Sequence, residues 1–106
     1  MFIAFYRWKL KAGKEEQFRA AWTTVTLAIR KRCGSLGSRL HQVEDGTWAA
    51  YAQWPSKELW QADCTHDSET NIARQKMREA VEEHLPDLYL TVSDDFLIQQ
   101  RVSDAT

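Results

Sequence analysis

A chain of 106 residues with 14 basic and 15 acidic side chains, formal net charge −1, is long enough for one domain and too evenly charged to attract nucleic acid or an anionic membrane. Its 43% hydrophobic and 27% charged content suits a globular domain with a modest core, because a chain this size buries only about 60–65% of the surface it exposes when unfolded. The longest early apolar run, Phe2 to Tyr6, stops at Arg7 and Lys9, too short for a secretory leader or a membrane span.

Phe2 to Leu10 is aromatic-rich and alternates towards its end, which predicts a strand. Ala12-Gly13 supplies a turn, and Glu15 and Glu16 suit the first turn of a helix, where the dipole favours carboxylates. Phe18, Trp22, Val25 and Ile29 recur at helical spacing as one stripe, Lys31 and Arg32 suit the helix end, and Gly34 is the expected left-handed cap. A second strand is expected from Leu36 to Val43, then Asp45-Gly46 as a hairpin turn and a third strand from Thr47 to Trp54. Ser56 is placed to cap a short helix reaching about Asp63. A polar loop, Thr65 to Asp67, leads to a longer helix from Ser68 that is expected to end before Pro86. Leu88, Leu90 and Val92 alternate with Tyr89, Thr91 and Ser93, which predicts a last strand from about 88 to Gln99; Arg101 to Thr106 is a polar tail expected to fray. This order describes a single α+β domain over 1–106, a ferredoxin-like antiparallel sheet with its helices on one face.

Parity puts Phe2, Ala4, Tyr6, Trp8 and Leu10 on one face of that sheet with Trp48, Ala50, Ala52 and Trp54, and these more apolar sets belong under the helices. The other face still carries Ile3, Phe5, Ala49, Tyr51 and Leu97. Together they exceed the roughly 300–600 Å2 apolar patch of a typical monomer, which predicts a twofold homodimer through that face.

Several features argue against familiar chemistries. Gly34-Ser-Leu-Gly-Ser38 runs from helix to strand, the reverse of a phosphate-binding loop, and no GxGxxG is present to indicate a flavin or nicotinamide fold. Cys33 and Cys64 form no CxxC pair and suggest no disulfide framework, so a reducing cytoplasm is the expected setting. Asp63-Cys-Thr-His66-Asp67 gathers possible ligands without a zinc spacing and reads as a polar loop; no metal and no cofactor are expected. Asp94 and Asp95 would point to opposite faces of a strand, and His84 reads as a helix-end residue. Arg74 precedes Met77 by three residues on the expected stripe Met77, Val81, Leu85, so it lies on or beside the buried side. A guanidinium there either meets an oxyanion or snorkels to water. The chain holds five tryptophans. Trp22 is expected in the core, whereas Trp8, Trp48, Trp54 and Trp60 beside Ala4, Ala50 and Ala52 either fill a core or wall a cleft for a flat apolar ligand.

The pattern resembles the antibiotic biosynthesis monooxygenase family of dimeric α/β-barrel proteins. The likeness rests on Gly13-Lys-Glu-Glu-Gln-Phe18 after the first strand, His41 ahead of Asp45-Gly46-Thr47, and Tyr51-Ala-Gln-Trp54 followed by a short helix from Ser56. The resemblance implies cofactor-independent oxidation of a flat phenol to a quinone by molecular oxygen. By position it puts the family's site tryptophan on Trp54, its histidine on His41 and its helix arginine on Arg74. Two positions depart, Ala50 where the family has asparagine and Trp60 where it has tyrosine. A haem-degrading branch shares Trp54, but Tyr6 and Ala73 stand where it has asparagine and the iron-ligating histidine, so haem degradation is not expected. On this reading Trp54, Trp60, Trp8 and Trp48 wall the substrate site, Arg74 steadies the phenolate, and His41 or Tyr6 handles the proton. The competing reading is a non-catalytic small-molecule-binding dimer.

Overall fold

A computed structural model describes residues 1–98. Strand β1 (Phe2–Leu10) leads to helix α1 (Glu15–Arg32), then strands β2 (Gly37–Gln42) and β3 (Trp48–Trp54) form a hairpin. Helix α2 (Lys57–Gln61), helix α3 (Ser68–Ala80) and strand β4 (Val81–Thr91) complete the chain order. The four strands are antiparallel in the order β2-β3-β1-β4, the expected ferredoxin-like sheet. No helix among the described residues is long and apolar enough to cross a membrane.

Local chemistry accounts for most boundaries. Glu15 and Glu16 occupy the first turn of α1, and Arg30, Lys31 and Arg32 the last, each matched to the helix dipole. Gly34 follows at φ +82°, and a Cβ there would lie 2.7 Å from Leu59 Cδ2, so the glycine serves both the turn and the close approach of α2. Ser56 caps α2 by accepting from the Leu59 amide at 3.1 Å. Asp67 caps α3, accepting from the Thr70 amide at 2.8 Å.

The end of the chain corrects the sequence reading. Helix α3 stops at Ala80, and Val81, His84 and Leu85 lie on β4, paired with Leu10, Trp8 and Arg7. Tertiary pairing along β1 overrides the helix propensity of this segment. Pro86 is tolerated because β4 is an edge strand and its register shifts between Leu85 and Leu88. The strand ends at Thr91, so Leu97 is not on the sheet, and the expected terminus at Gln99 and the tail 101–106 fall outside the described residues. With Val81 and Leu85 gone from the helix, its buried stripe is Thr70, Ala73 and Ala80, flanked by Met77, and Arg74 is exposed.

The helix side of the sheet carries the core. Trp8, Leu10, Phe18, Trp48, Ala50 and Ala80 form one cluster, and Phe2, Ala4, Ala52 and Trp54 a second. On the outer face Ile3 and Ala49 are buried within the protomer, while Phe5 and Tyr51 are half-buried. The cysteines depart from expectation: Cys33, just after α1, is bonded to Cys64 in the loop between α2 and α3. Two residues 31 apart in sequence, with neither in a CxxC, give no local signal of the pairing.

Candidate functional site: an aromatic-walled cavity

A cavity of about 140 Å3 lies between the sheet and α1. It arises from missing side-chain volume. Ser38 and Ala52 stand abreast on β2 and β3, and in the next row Ala50 sits between Leu40 and Tyr6, so Ser38, Ala52 and Ala50 make the cavity floor. Large side chains surround this floor: Tyr6 and Trp8 from β1, Trp54 from β3, and Trp22, Val25 and Ile29 from α1, with Met77 from α3. The helical spacing that buries the α1 stripe also delivers Trp22, Val25 and Ile29 over the floor.

Four hydroxyl-bearing residues, Tyr6, Thr26, Ser35 and Ser38, give the cavity polarity. Ser38 Oγ is buried and has no hydrogen-bond partner among the described residues, although such groups are ordinarily satisfied. Ser35, also on the wall, is occupied, donating to the Gln53 carbonyl at 3.4 Å and accepting from the Gly37 amide at 3.0 Å. The Tyr6 hydroxyl accepts from Trp60 Nε1 at 3.1 Å, which leaves its own O–H to donate. Burial raises the Tyr6 pKa, outweighing the lowering effect of that hydrogen bond, and Tyr89 and Asp87 push it the same way. Tyr6 is therefore a phenol and a donor at neutral pH. No carboxylate, imidazole or amine lines the cavity among the described residues.

The sequence-predicted residues divide. Tyr6, Trp8 and Trp54 wall the cavity. Trp48 is buried in the core cluster beside Trp8, and Trp60 stands behind Tyr6, its ring 5.1 Å from Phe2 and 4.9 Å from Tyr89. His41 is exposed and pairs with Ala49 on the outer face, its Nδ1 3.3 Å from the Ala49 carbonyl oxygen. Arg74 is likewise off the wall, with no ion pair among the described residues. The reason is the early end of α3: the stripe that placed Arg74 towards the interior is not helical beyond Ala80.

Trp22 and Ser38 are two wall residues that sequence reasoning did not assign to the site. The register set by the Asp45-Gly46 hairpin carries the Ser38 signal, because it aligns Ser38 with Ala52. Trp22 needed the shape of the floor beneath its stripe. His84 accompanies Asp87 on the edge strand, with Nε2 2.7 Å from Oδ1, and its ring lies 5.9 Å from Trp8, which separates it from the cavity.

A family model described as antibiotic biosynthesis monooxygenase matches residues 1–68, a stretch that supplies every wall residue except Met77. No curated protein matches the chain. Among solved structures, a monooxygenase from the gene ActVA-Orf6 of Streptomyces coelicolor, in complex with nanaomycin D, is 20% identical at TM-score 0.69, covering 92% of each chain. SnoaB, a cofactor-independent oxygenase of Streptomyces nogalater, is 10% identical at TM-score 0.70, covering 90% of this chain and 95% of its own. Rv0793 of Mycobacterium tuberculosis is 14% identical at TM-score 0.70, covering 91% of this chain and 98% of its own. At these identities the structures attest the fold, while the family model reaches the sequence itself. The chain belongs to the antibiotic biosynthesis monooxygenase family.

Proposed function

We propose that the cavity binds a small electron-rich phenol and that the protein promotes its oxidation by molecular oxygen without a cofactor. The observation that carries this reading is the floor of Ser38, Ala50 and Ala52 under an aromatic wall, with Ser38 Oγ unpartnered. SnoaB is a cofactor-independent oxygenase of the same fold, and the ActVA-Orf6 monooxygenase binds nanaomycin D, which supports an aromatic ligand. Volume narrows the class. Ligand pockets commonly run about 300–1,000 Å3, and a cavity of about 150 Å3 takes benzene. At about 140 Å3 the site fits one ring, or two with modest parting of sheet and helix.

The chemistry needs little from the protein. A phenol with a free para C–H and one O2 give a quinone and one water. Four electrons pass from the ring to oxygen, one oxygen atom becomes the new carbonyl, and the other leaves as water. Tyr6 and Ser38 would hydrogen-bond the phenolate oxygen, and Trp8, Trp22 and Trp54 would exclude solvent around it. With no basic side chain on the wall among the described residues, the substrate would enter as its own phenolate, so turnover would rise through the substrate's pKa rather than a protein group's. His41 and Arg74 have no part in this step.

The test is a titration with hydroquinones, naphthols, hydroxyanthrones and haem, following tryptophan fluorescence and oxygen uptake in one cuvette. Saturable quenching with oxygen uptake, strongest for one- and two-ring phenols, is the expected result. Quenching without uptake would replace catalysis with ligand binding, and no quenching would remove the site.

The same reading includes a homodimer through the outer face. Register aligns Leu88 with Phe5 and Leu90 with Ile3 on that face, and Leu88 and Leu90 are 56% and 43% exposed. Phe96, Leu97 and Ile98 are 91%, 82% and 92% exposed, so on this reading Leu97 would join the interface from beyond the sheet. Leu88→Glu should lower the mass seen by light scattering from dimer to protomer; an unchanged mass would move the interface elsewhere.

A further inference from the structure

The bond between Cys33 and Cys64 accounts for two atoms of a cluster of three. His66 brings a ring nitrogen to the same place, and Cys33 Sγ, Cys64 Sγ and that nitrogen all lie within 4.8 Å of one another. His66 Nδ1 is buried with no hydrogen-bond partner among the described residues. A disulfide asks nothing of a neighbouring imidazole, so the bond leaves this nitrogen unexplained.

The two segments that meet here are held in place by their neighbours. Arg32, next to Cys33, is ion-paired with Asp67, next to His66, at 3.0 Å. Asp67 is also fixed by capping α3 through the Thr70 amide, and the His66 carbonyl accepts from Asn71 Nδ2 at 3.4 Å. One contact other than the sulfur–sulfur bond, the Arg32–Asp67 ion pair, therefore joins the ligand-bearing segments, and the hydrogen bonds at Asp67 and His66 order the second of them. The Cα atoms of the cysteines are 5.8 Å apart.

We propose that Cys33, Cys64 and His66 form a zinc site when the disulfide is reduced, so that the disulfide and the metal are alternative states of one place. Two thiolates and an imidazole are a borderline-soft donor set that suits Zn2+, and three protein ligands leave its fourth position to water. With Zn–S near 2.3 Å and Zn–N near 2.0–2.1 Å, tetrahedral geometry sets sulfur–sulfur and sulfur–nitrogen spacings of about 3.5–3.8 Å. Those spacings are compatible with the 4.8 Å within which the three atoms already lie, with the two sulfurs moving apart once their bond is reduced. The exchange balances. A dithiol donates two electrons and two protons to the disulfide, giving two thiols and its own disulfide, and Zn2+ binding then releases the two thiol protons to solvent.

The sequence reading of Asp63-Cys-Thr-His66-Asp67 as a loop without metal had only two of the three ligands in view. Cys33 arrives from the far end of α1, and neither cysteine has a metal-binding spacing of its own.

Cobalt(II) provides the test, because thiolate ligation gives it a near-ultraviolet charge-transfer band and tetrahedral visible bands. The full chain, reduced under anaerobic conditions and titrated with CoCl2, should develop both at one equivalent and lose them when ZnCl2 is added. The disulfide-bonded protein should show neither. His66→Ala, which keeps both cysteines, should weaken Co2+ binding at least about 100-fold, the upper end of what losing even an outer-shell partner costs. Far-UV circular dichroism of the reduced protein and of the variant verifies that each remains folded. If the folded, reduced protein gives no charge-transfer band, if the disulfide-bonded form binds equally well, or if His66→Ala binds as tightly as the parent, the three-ligand site is wrong. Should the reduced chain unfold, Zn2+ must restore its helical signal, and a failure to do so would equally overturn the site.

Discussion

Ala52→Val tests whether the floor of the cavity is truly empty, because the two alternatives differ in sign. Ala52 faces the helices between Ala4 and Ser38, the smallest row of the sheet, and it lines the cavity. Valine adds two carbons, and each buried CH2 contributes about 0.8 kcal/mol. Subtracting about 0.5 kcal/mol for fixing the new χ1 leaves a stabilisation of about 1 kcal/mol. Val also suits a strand, so the backbone adds no opposing term. For a chain near this length that is a rise of about 4 °C or more in Tm. Urea unfolding followed by tryptophan fluorescence reads the same quantity as a higher midpoint at unchanged slope. The variant should at the same time weaken phenol binding by about tenfold or more, since 1.4 kcal/mol of crowding is a factor of ten. A packed floor gives the opposite result, a loss of about 1–3 kcal/mol from overpacking. A lowered midpoint would therefore refute both the cavity and the function argued from it.

Tyr6→Phe should cost about 1 kcal/mol in urea unfolding by leaving Trp60 Nε1 without its acceptor, and should weaken phenol binding more than Trp48→Phe does. Replacing both Cys33 and Cys64 by serine should lower stability by about 3–4 kcal/mol, the loop-closure value for a separation of 31 residues; a loss below about 1 kcal/mol would mean that the bond constrains little of the unfolded chain. The carboxyls of Asp45 and Asp67 are held below their ordinary pKa, chiefly by hydrogen bonds from Thr47 and Thr70. Their contribution is complete above the unfolded value near 3.9 and is lost as pH falls through the lower folded values. Asp67→Asn should therefore flatten the acid limb of a Tm–pH curve, and an unchanged limb would remove Asp67 from it.

Local chemistry made the first half of the fold legible. The α1 stripe, the Asp45-Gly46 turn and the Ser56 cap all act within a few residues, and each stands where the sequence put it. The junction at Ala80–Val81 was hidden because nothing local stops the helix there. Pairing with β1 does, and Pro86, taken as a helix terminator, instead sits at an irregularity of an edge strand. That single displacement misplaced Arg74 and His84, while Leu97 was lost because β4 ends at Thr91. Aromatic walls were readable as a class, but which indoles border the void depends on where missing volume falls along the sheet. Trp48 and Trp54 share a face of β3, yet Trp54 lines the void while Trp48 packs into the core cluster beside Trp8. Cys33 and Cys64 show the same limit, since their meeting depends on how α2 and α3 fold back over the end of α1.

The edge position of β4 bears on how the protein behaves in a crowded solution. An edge strand offers unpaired amides and carbonyls on which another chain can align, the usual route to runaway sheet growth. Pro86 withdraws one donor from that row, the shift beside it breaks the straight repeat an incoming strand would need, and Glu82 and Glu83 add exposed carboxylates along it. The edge discourages recruitment while the apolar face beside it stays open to a partner. On this side of the sheet, growth by strand addition is therefore disfavoured.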